Sequence, residues 1–209
     1  ATHFRVALAG AKLGLPEVNL GLLPGAGGTQ RSPRLMGVKA ATELMLSGQH
    51  LSAKAALAAG LVDKLAEGDD PLVAGLAYVN ELLARGVPPR RTRDLAIADK
   101  AAALAELDAI ALESVKKTRG LFSPAKIIEC VRAAVELPFE QGLKRERELF
   151  LECLNSPQRQ GLVHAFFAER ETAKIPEAKA AAPRALASIA VIGGGTMGAG
   201  ITVSALDAG

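Results

Sequence analysis

The feature of this sequence that most restricts its fold is a glycine- and proline-rich segment over residues 14–37. Its glycines are at positions 14, 21, 25, 27, 28 and 37, and its prolines at positions 16, 24 and 33. Glycine permits backbone conformations that a Cβ atom forbids, whereas proline fixes φ and removes an N–H donor. We therefore predict that backbone shape matters more than side-chain bulk in this segment, with a helix after Gly28.

Most of the remaining sequence predicts helices. Two short apolar segments, residues 4–9 and 61–65, predict strands. The predicted helices begin near residues 38, 52, 71, 98, 123, 139 and 157. Apolar residues recur along these helices at helical spacing, and we expect the resulting stripes to lie in the core. The stripe of the third predicted helix contains Leu72, Leu76, Val79 and Leu83.

The composition changes towards the end of the chain. Residues 174–184 are rich in Ala, Pro, Lys and Glu and have no apolar periodicity, which is typical of an interdomain linker. Residues 186–192 then predict an apolar strand and residues 197–206 a helix, with G-x-G-x-x-G at Gly193, Gly195 and Gly198 between them. This context favours nucleotide binding over a purely structural glycine turn, because glycine lets backbone N–H groups approach a pyrophosphate at a helix N-terminus.

Composition excludes several classes of protein. With 49% apolar and 22% charged residues the chain can bury a core, which rules out general disorder. The 25 basic and 22 acidic residues leave only a small surplus of bases, and few aromatics accompany them, so no nucleic-acid surface is indicated. Cys130 and Cys153 have no CxxC spacing, which argues against a zinc site or a disulfide scaffold and indicates a reducing compartment. Residues 185–206 carry no charge, but their five glycines argue against a membrane span.

Glu17 is the one carboxylate in the segment 15–31. An apolar, glycine-rich setting can raise the pKa of a carboxyl group and fit it for proton transfer. The alternative is a glutamate that caps a helix or forms a salt bridge. The residues alone leave both interpretations open.

Several motifs resemble a known family. LGLPE at 13–17, PGAGGTQR at 24–31 and AKAALAAGLVD at 53–63 are similar to the enoyl-CoA hydratase (crotonase) superfamily. LPFEQGL at 137–143, RERE at 145–148 and HAFFAER at 164–170 resemble the segment that joins hydratase to dehydrogenase in bifunctional enzymes of the fatty-acid oxidation complex α-subunit type. VIGGGTMGAGI at 191–201 resembles the start of the NAD domain of that dehydrogenase.

The resemblance implies an α/β fold with four parts. Residues 1–66 would form the C-terminal part of a crotonase-type ββα spiral, and residues 67–173 a helical C-terminal and joining region. A linker at 174–185 would lead to the first strand and helix of a Rossmann domain at 186–209. Both ends then look cut, and we expect the chain to be a piece of a longer protein.

The resemblance also implies roles for individual residues. Glu17 corresponds to the second of two catalytic glutamates of the hydratase, and Gly25 to the glycine whose N–H helps to hold the water between them. The first glutamate and the oxyanion hole would precede this sequence, and the catalytic His–Glu pair of the dehydrogenase would follow it. No metal is implied. The implied NAD-binding residues are Gly193, Gly195, Thr196, Met197 and Gly198.

The parent protein would then hydrate trans-2-enoyl-CoA and oxidise the 3-hydroxyacyl-CoA with NAD. It would bind acyl-CoA and no nucleic acid. We expect it in the cytoplasm or, in a eukaryote, in the peroxisome. Whether it forms an oligomer or binds a thiolase partner stays open. Arg85, Arg90, Arg91 and Arg93 either meet CoA phosphates or belong to a solvated loop. Two alternatives remain. One is a stand-alone crotonase hydratase or isomerase, but the glycine motif after a linker argues against it. The other is an inactive chain that serves assembly.

Overall fold

A computed structural model describes residues 2–118, 120–172, 174–176, 181–182 and 185–208. The chain divides into two compact units, Ala1–Glu169 and Arg170–Gly209. Of the predicted linker at 174–185, positions 177–180 and 183–184 lie outside the described residues.

The first unit contains two small sheets. Strand β1 (Val6–Leu8) pairs in parallel with β4 (Lys64–Ala66), so that Ala7 lies opposite Leu65. Strand β2 (Lys12–Gly14) pairs antiparallel with β3 (His50–Ser52). The two predicted strands are therefore present, the second of them three residues later than expected, whereas β2 and β3 were not predicted.

Helices make up most of the first unit. A 3-10 helix, Pro16–Leu20, precedes them in the glycine-rich segment. The α-helices are α1 (Gly28–Met36), α2 (Val38–Ser47), α3 (Ala53–Ala58), α4 (Pro71–Ala84), α5 (Lys100–Thr118), α6 (Phe122–Glu136), α7 (Phe139–Leu154) and α8 (Pro157–Thr172).

Local sequence explains where several of these helices begin and end. The hydroxyl of Ser52 accepts the Ala55 N–H at the start of α3, and Asp70 accepts the N–H groups of Leu72 and Val73 at the start of α4. Helix α2 ends at Gly48, whose φ of 62° is the left-handed conformation that favours glycine. Ser123 was expected to cap α6, but the helix starts one residue earlier, at Phe122, whose N–H donates to the Gln158 side chain at 2.6 Å.

The main core lies between α1, α2, α5, α6 and α7. Its fully buried side chains include Leu23, Met45, Leu107, Ile127 and Leu149. A second, smaller cluster of Ala7, Ala53, Ala56 and Val62 lies between α3 and the β1–β4 sheet. Helix α1 packs against α6 and α7, and these elements position the candidate site.

The expectation that every apolar stripe is core is wrong for three helices. On α4, Leu72, Leu76, Val79 and Leu83 are 50–71% exposed. Val115 of α5 and Phe167 of α8 are also exposed. Helical spacing places the apolar residues of each helix on one face of that helix. These residues are nevertheless exposed, because burial needs an element that covers the face as well as an apolar stripe.

Besides the last three residues of α8, the described part of the second unit contains one helix, α9 (Thr196–Asp207), within one residue of the prediction. The strand predicted over residues 186–192 is not formed, and Leu186, Ile189 and Ile192 are exposed. A strand exists only where its backbone groups pair with a neighbour, and in the described part of this unit no second strand is available. Among the described residues, none of the helices has both the length and the apolar character that a membrane span needs.

Candidate active site

Glu17 lies in the 3-10 helix Pro16–Leu20, and its carbonyl oxygen accepts the Leu22 N–H at 3.0 Å. The side chain is partly buried, and its Oε2 atom is buried without a hydrogen-bond partner among the described protein atoms. An unpartnered buried carboxylate oxygen is unfavourable unless a ligand, a water or a proton satisfies it. The 3-10 helix has no side-chain cap hydrogen bond, and no ion pair is found for Glu17 among the described residues, so neither form of the alternative interpretation is observed.

Gly25 begins a tight turn directly before α1. The Gly28 N–H donates to the Gly25 carbonyl at 3.0 Å, and the two residues between them, Ala26 and Gly27, have φ values of 54° and 81°. These angles are typical of a type I′ turn, which favours glycine and costs about 1–2 kcal/mol at a residue with a Cβ atom such as Ala26. The turn is thus a strained piece of backbone that its surroundings must hold.

Glu146 of α7 holds this turn from a distant part of the sequence. Its Oε1 accepts the Gly27 N–H at 2.7 Å, and its Oε2 accepts the Thr29 N–H at 3.1 Å and the Thr29 hydroxyl at 2.5 Å. Glu146 is only 4% exposed. Its carboxylate satisfies backbone donors at the N-terminus of α1, where the helix dipole also favours a negative charge.

Sequence reasoning did not identify Glu146 as a site residue, although a signal was present. The buried residues of α7 are spaced by three and four along the chain, which places them on one helical face. Glu146 occupies the middle of that otherwise apolar stripe, and a charged residue there must have buried partners. The buried face consists of Phe139, Gly142, Glu146, Leu149 and Cys153.

Gln30 and Arg34 complete the junction between α1 and its neighbours. The fully buried Gln30 amide donates to the Thr29 hydroxyl at 3.1 Å and to the Cys130 carbonyl at 3.0 Å. Arg34 donates to the carbonyls of Gln30 and Ala134, at 2.7 and 3.1 Å, and thereby bridges α1 to α6. The burial of Arg34 lowers the pKa of its guanidinium below the ordinary value.

A groove of about 360 Å³ lies beside the turn. Arg31 lies on one side of it and donates to the Ala26 carbonyl at 2.7 Å. Leu143 and Phe150 of α7 supply its apolar wall, with Arg147 beside them. The Phe150 ring would be 3.6 Å from a Cβ atom added at Gly25, so the space between Gly25 and this wall could accommodate a methyl group. The groove therefore gives the turn an open, partly apolar approach.

Most of the arginines considered for phosphate binding are paired instead. Arg90 and Arg5 both bind Asp63, Arg85 binds Glu81, and Arg93 binds Glu140. Three of the four arginines considered, Arg85, Arg90 and Arg93, are thus paired with carboxylates. The Asp63 pairs join β1 to the loop after α4, which is a structural role.

The cysteines and the described acidic residues form no metal site. Cys130 and Cys153 are free and fully buried on α6 and α7. Burial raises the pKa of the Cys130 thiol to about 12 and that of Cys153 to about 11, so both are protonated at neutral pH. Within the described ranges, no three His, Cys, Asp or Glu side chains are grouped so that they could hold a metal ion.

The glycine motif lies in the second unit. Gly193 has a φ of 104°, and a Cβ atom added at Gly198 would overlap the Gly193 carbonyl oxygen and lie 2.9 Å from its carbon. Only glycine fits at position 198, because the obstacle is backbone. Gly195 precedes α9 and offers no side-chain cap, so the first N–H groups at Thr196 and Met197 have no cap from that residue.

Comparison with known proteins gives a consistent result. Residues 1–88 match the Enoyl-CoA hydratase/isomerase family. The chain is 41% identical to the peroxisomal bifunctional enzyme of Cavia porcellus, over 97% of this chain and 28% of that protein. It is 38% identical to the fatty acid oxidation complex subunit alpha of Shewanella sp. (strain ANA-3), over 96% of this chain and 29% of that protein. The chain thus spans less than a third of the length of these relatives.

Solved structures show the same fold. The chain is similar to carnitinyl-CoA hydratase from Mycobacterium avium, with a TM-score of 0.51 and 22% identity, over 79% of this chain and 52% of that one. A carnitinyl-CoA dehydratase from Mycobacterium thermoresistibile gives a TM-score of 0.51 and 22% identity, over 78% and 54%. The predicted resemblance to the crotonase superfamily and to the bifunctional enzymes is confirmed. Residues 1–88 are thus similar to the enoyl-CoA hydratase/isomerase family, and the whole chain is similar to part of the bifunctional enzymes.

Proposed function

We propose that this chain is part of a fatty-acid β-oxidation enzyme that hydrates trans-2-enoyl-CoA to 3-hydroxyacyl-CoA and oxidises that product to 3-ketoacyl-CoA with NAD. The bifunctional enzyme and the oxidation-complex subunit that it resembles support both steps. In a eukaryote the names of the relatives support a peroxisomal location.

The observation that carries the hydratase proposal is the unpartnered, buried Oε2 of Glu17. Hydration adds the hydroxyl of water to C3 of the enoyl thioester and a proton to C2. One carboxylate takes the proton that water loses, while a second carboxylic acid donates the proton to C2. We assign Glu17 one of these two roles, because its free oxygen can hold a water or a proton. The N–H of Gly25 is proposed to hold the water, as the family resemblance implies.

Glu17 alone cannot perform both proton transfers. The second carboxylate and the donors that stabilise the thioester oxyanion are proposed to come from residues of the parent protein outside this sequence. The isolated 209-residue chain is accordingly expected to be inactive in hydration. Donors around an oxyanion commonly supply the largest electrostatic contribution to such a reaction.

The domain organisation is also a proposal. We assign residues 1–66 to the hydratase core, 67–173 to the helical joining region, 174–185 to a linker and 186–209 to the start of a Rossmann domain. In that domain NAD would accept a hydride from the 3-hydroxyacyl group. The close approach of Gly198 to Gly193 and the uncapped start of α9 fit a loop that holds a pyrophosphate, with Gly195, Thr196 and Met197 supplying backbone groups.

Glu17→Gln in the intact gene product tests the hydratase assignment. The substitution keeps the size of the side chain but removes the carboxylate, and hydration of a short enoyl-CoA should fall about 100-fold or more, the scale for loss of a positioned acid or base. Oxidation of 3-hydroxyacyl-CoA should be unchanged. Glu106→Gln, at an exposed position of α5, is the matched control and should leave both activities intact.

Near-normal hydration by a folded Glu17→Gln protein would remove Glu17 from the mechanism. The isolated chain provides a further test, since measurable hydration by it would show that the described residues are sufficient and that the division of the site is wrong.

A further inference from the structure

We propose that Glu146 is a positioning residue of the hydratase site: its buried carboxylate holds the turn 25–28 in the conformation that fixes the direction of the Gly25 N–H. The inference rests on the proposed function and adds to it a residue that does not touch the substrate. It is based on the hydrogen bonds of Glu146, on its burial and on the strained backbone of the turn.

The turn depends on Glu146 because no neighbouring side chain accepts its free N–H groups. Helices usually begin with a Ser, Thr, Asp or Asn whose side chain accepts the first free N–H groups. Here the N-cap of α1 is Gly27, which has no side chain and makes no side-chain cap hydrogen bond. A carboxylate 119 residues further along the chain accepts the Gly27 N–H instead, together with the Thr29 N–H and hydroxyl.

The turn would change conformation without such a restraint. Ala26, with a φ of 54°, is in the left-handed region that residues with a Cβ atom rarely adopt. Arg31 holds the Ala26 carbonyl on one side, and Glu146 holds the next N–H, at Gly27, on the other. The two contacts fix the peptide plane between Ala26 and Gly27. The Gly25–Gly28 hydrogen bond then ties Gly25 to the same frame.

A carboxylate suits this position better than its amide. Three donors converge on the two oxygens of Glu146, and a carboxylate offers acceptors on both. A glutamine would place its NH₂ group against the N–H of Gly27 or Thr29, so at least one donor would lose its partner. The side-chain length and fold would be kept, which makes Glu146→Gln the sharpest perturbation.

The test compares Glu146→Gln with Leu107→Ala in the intact gene product, by steady-state hydration of a short enoyl-CoA well below the melting temperature. Leu107 is fully buried on α5, which packs against α2 and α6, so its truncation weakens the core away from the turn. For Glu146→Gln we expect kcat to fall about 10- to 100-fold, with KM changed less than about twofold. Small misplacements of reacting groups reduce kcat on this scale. Leu107→Ala should lower the melting temperature and leave kcat unchanged.

A second variant serves if Glu146→Gln does not fold. Thr29→Val removes one of the three donors to Glu146 and keeps the Thr29 N–H bond. It should lower kcat in the same direction by a smaller factor. An unchanged kcat in the folded variants, or an equal loss of kcat in Leu107→Ala, would overturn the positioning role.

An inactive wild-type gene product would refute the proposed function without deciding on Glu146. Amide hydrogen exchange of the 209-residue chain decides it in that case. In Glu146→Gln the exchange rates of the Gly27 and Thr29 amides should rise more than those of the other core amides. In Leu107→Ala the exchange rates should rise throughout the core. Protection of both amides equal to the wild type would show that Glu146 does not hold the turn.

Discussion

Replacing Gly142 by alanine tests how closely α7 packs on α1 next to the candidate site. A Cβ atom at position 142 would overlap Gln30 Oε1 and lie 2.8 Å from Gln30 Cδ. The Gln30 amide cannot move freely, because it is fully buried and its NH₂ group donates to Thr29 and to the Cys130 carbonyl. The methyl group must therefore displace a hydrogen-bonded side chain inside the core.

The magnitude follows from three opposing effects. Overpacking of a close-packed site costs about 2 kcal/mol. Displacement of the amide loses at least one hydrogen bond, worth about 1 kcal/mol. Alanine gains about 1 kcal/mol over glycine in helix propensity. We expect a net loss of about 2 kcal/mol in the free energy of unfolding, and a melting temperature about 4–8 °C lower for a unit of this size.

The assay is thermal and urea unfolding followed by far-ultraviolet circular dichroism, since the chain has no tryptophan. Gly161→Ala on α8 is the matched control. An added Cβ atom there meets nothing within 4 Å, so the same substitution should be neutral or stabilising by up to about 1 kcal/mol. In a Gln30→Ala background Gly142→Ala should cost little, because the displaced group is gone. Equal stability of Gly142→Ala and the wild type would refute the packing argument.

Three further predictions concern other parts of the molecule. Asp63→Asn should lower the free energy of unfolding of the first unit by about 1–3 kcal/mol, the scale for hydrogen bonds to a charged group. The reason is that Asp63 accepts the Arg5 N–H at 2.7 Å and pairs with the Arg5 and Arg90 side chains. Urea unfolding midpoints measure the effect, with Asp108→Asn at an exposed position as the control. The raised thiol pKa values, about 12 for Cys130 and about 11 for Cys153, predict that both thiols react slowly with a disulfide reagent until the chain unfolds. They also predict a contribution to stability that is fully present below the ordinary thiol pKa and is lost as pH rises towards these values. Gly198→Ala should shift the amide resonances of residues 193–198 and abolish NAD binding by the intact gene product, whereas Gly200→Ala, which meets no atom within 4 Å, should do neither.

Local signals in the sequence located the helices well. Gly48 and Ser52 show why: a left-handed glycine and a hydroxyl that accepts an N–H act within one turn of chain, so the information is adjacent in sequence. The strands β2 and β3 were missed because each is three residues long and is defined by its partner. The paired residues are 36 to 40 positions apart, in the pairs Lys12–Ser52, Leu13–Leu51 and Gly14–His50.

The exposed face of α4 marks a different limit. The spacing of Leu72, Leu76, Val79 and Leu83 correctly groups these residues on one side of a helix. Whether that side is buried depends on what packs against it, which no periodicity contains. The strand predicted over residues 186–192 failed for the same reason. Apolar, β-branched residues favour a strand, but pairing creates one.

The two glutamates of the candidate site show what the structure adds to the motifs. Glu17 was predicted from its glycine-rich setting and the family resemblance, and it has a buried oxygen with no partner among the described atoms. Glu146 was not predicted as a site residue, and both of its oxygens are occupied by donors from the turn and from Thr29. A carboxylate whose acceptors are filled holds structure in place, whereas one with a free acceptor can exchange a proton with a ligand. The hydrogen-bond environment thus separates the two roles, and it becomes visible only when residues more than a hundred positions apart are brought together.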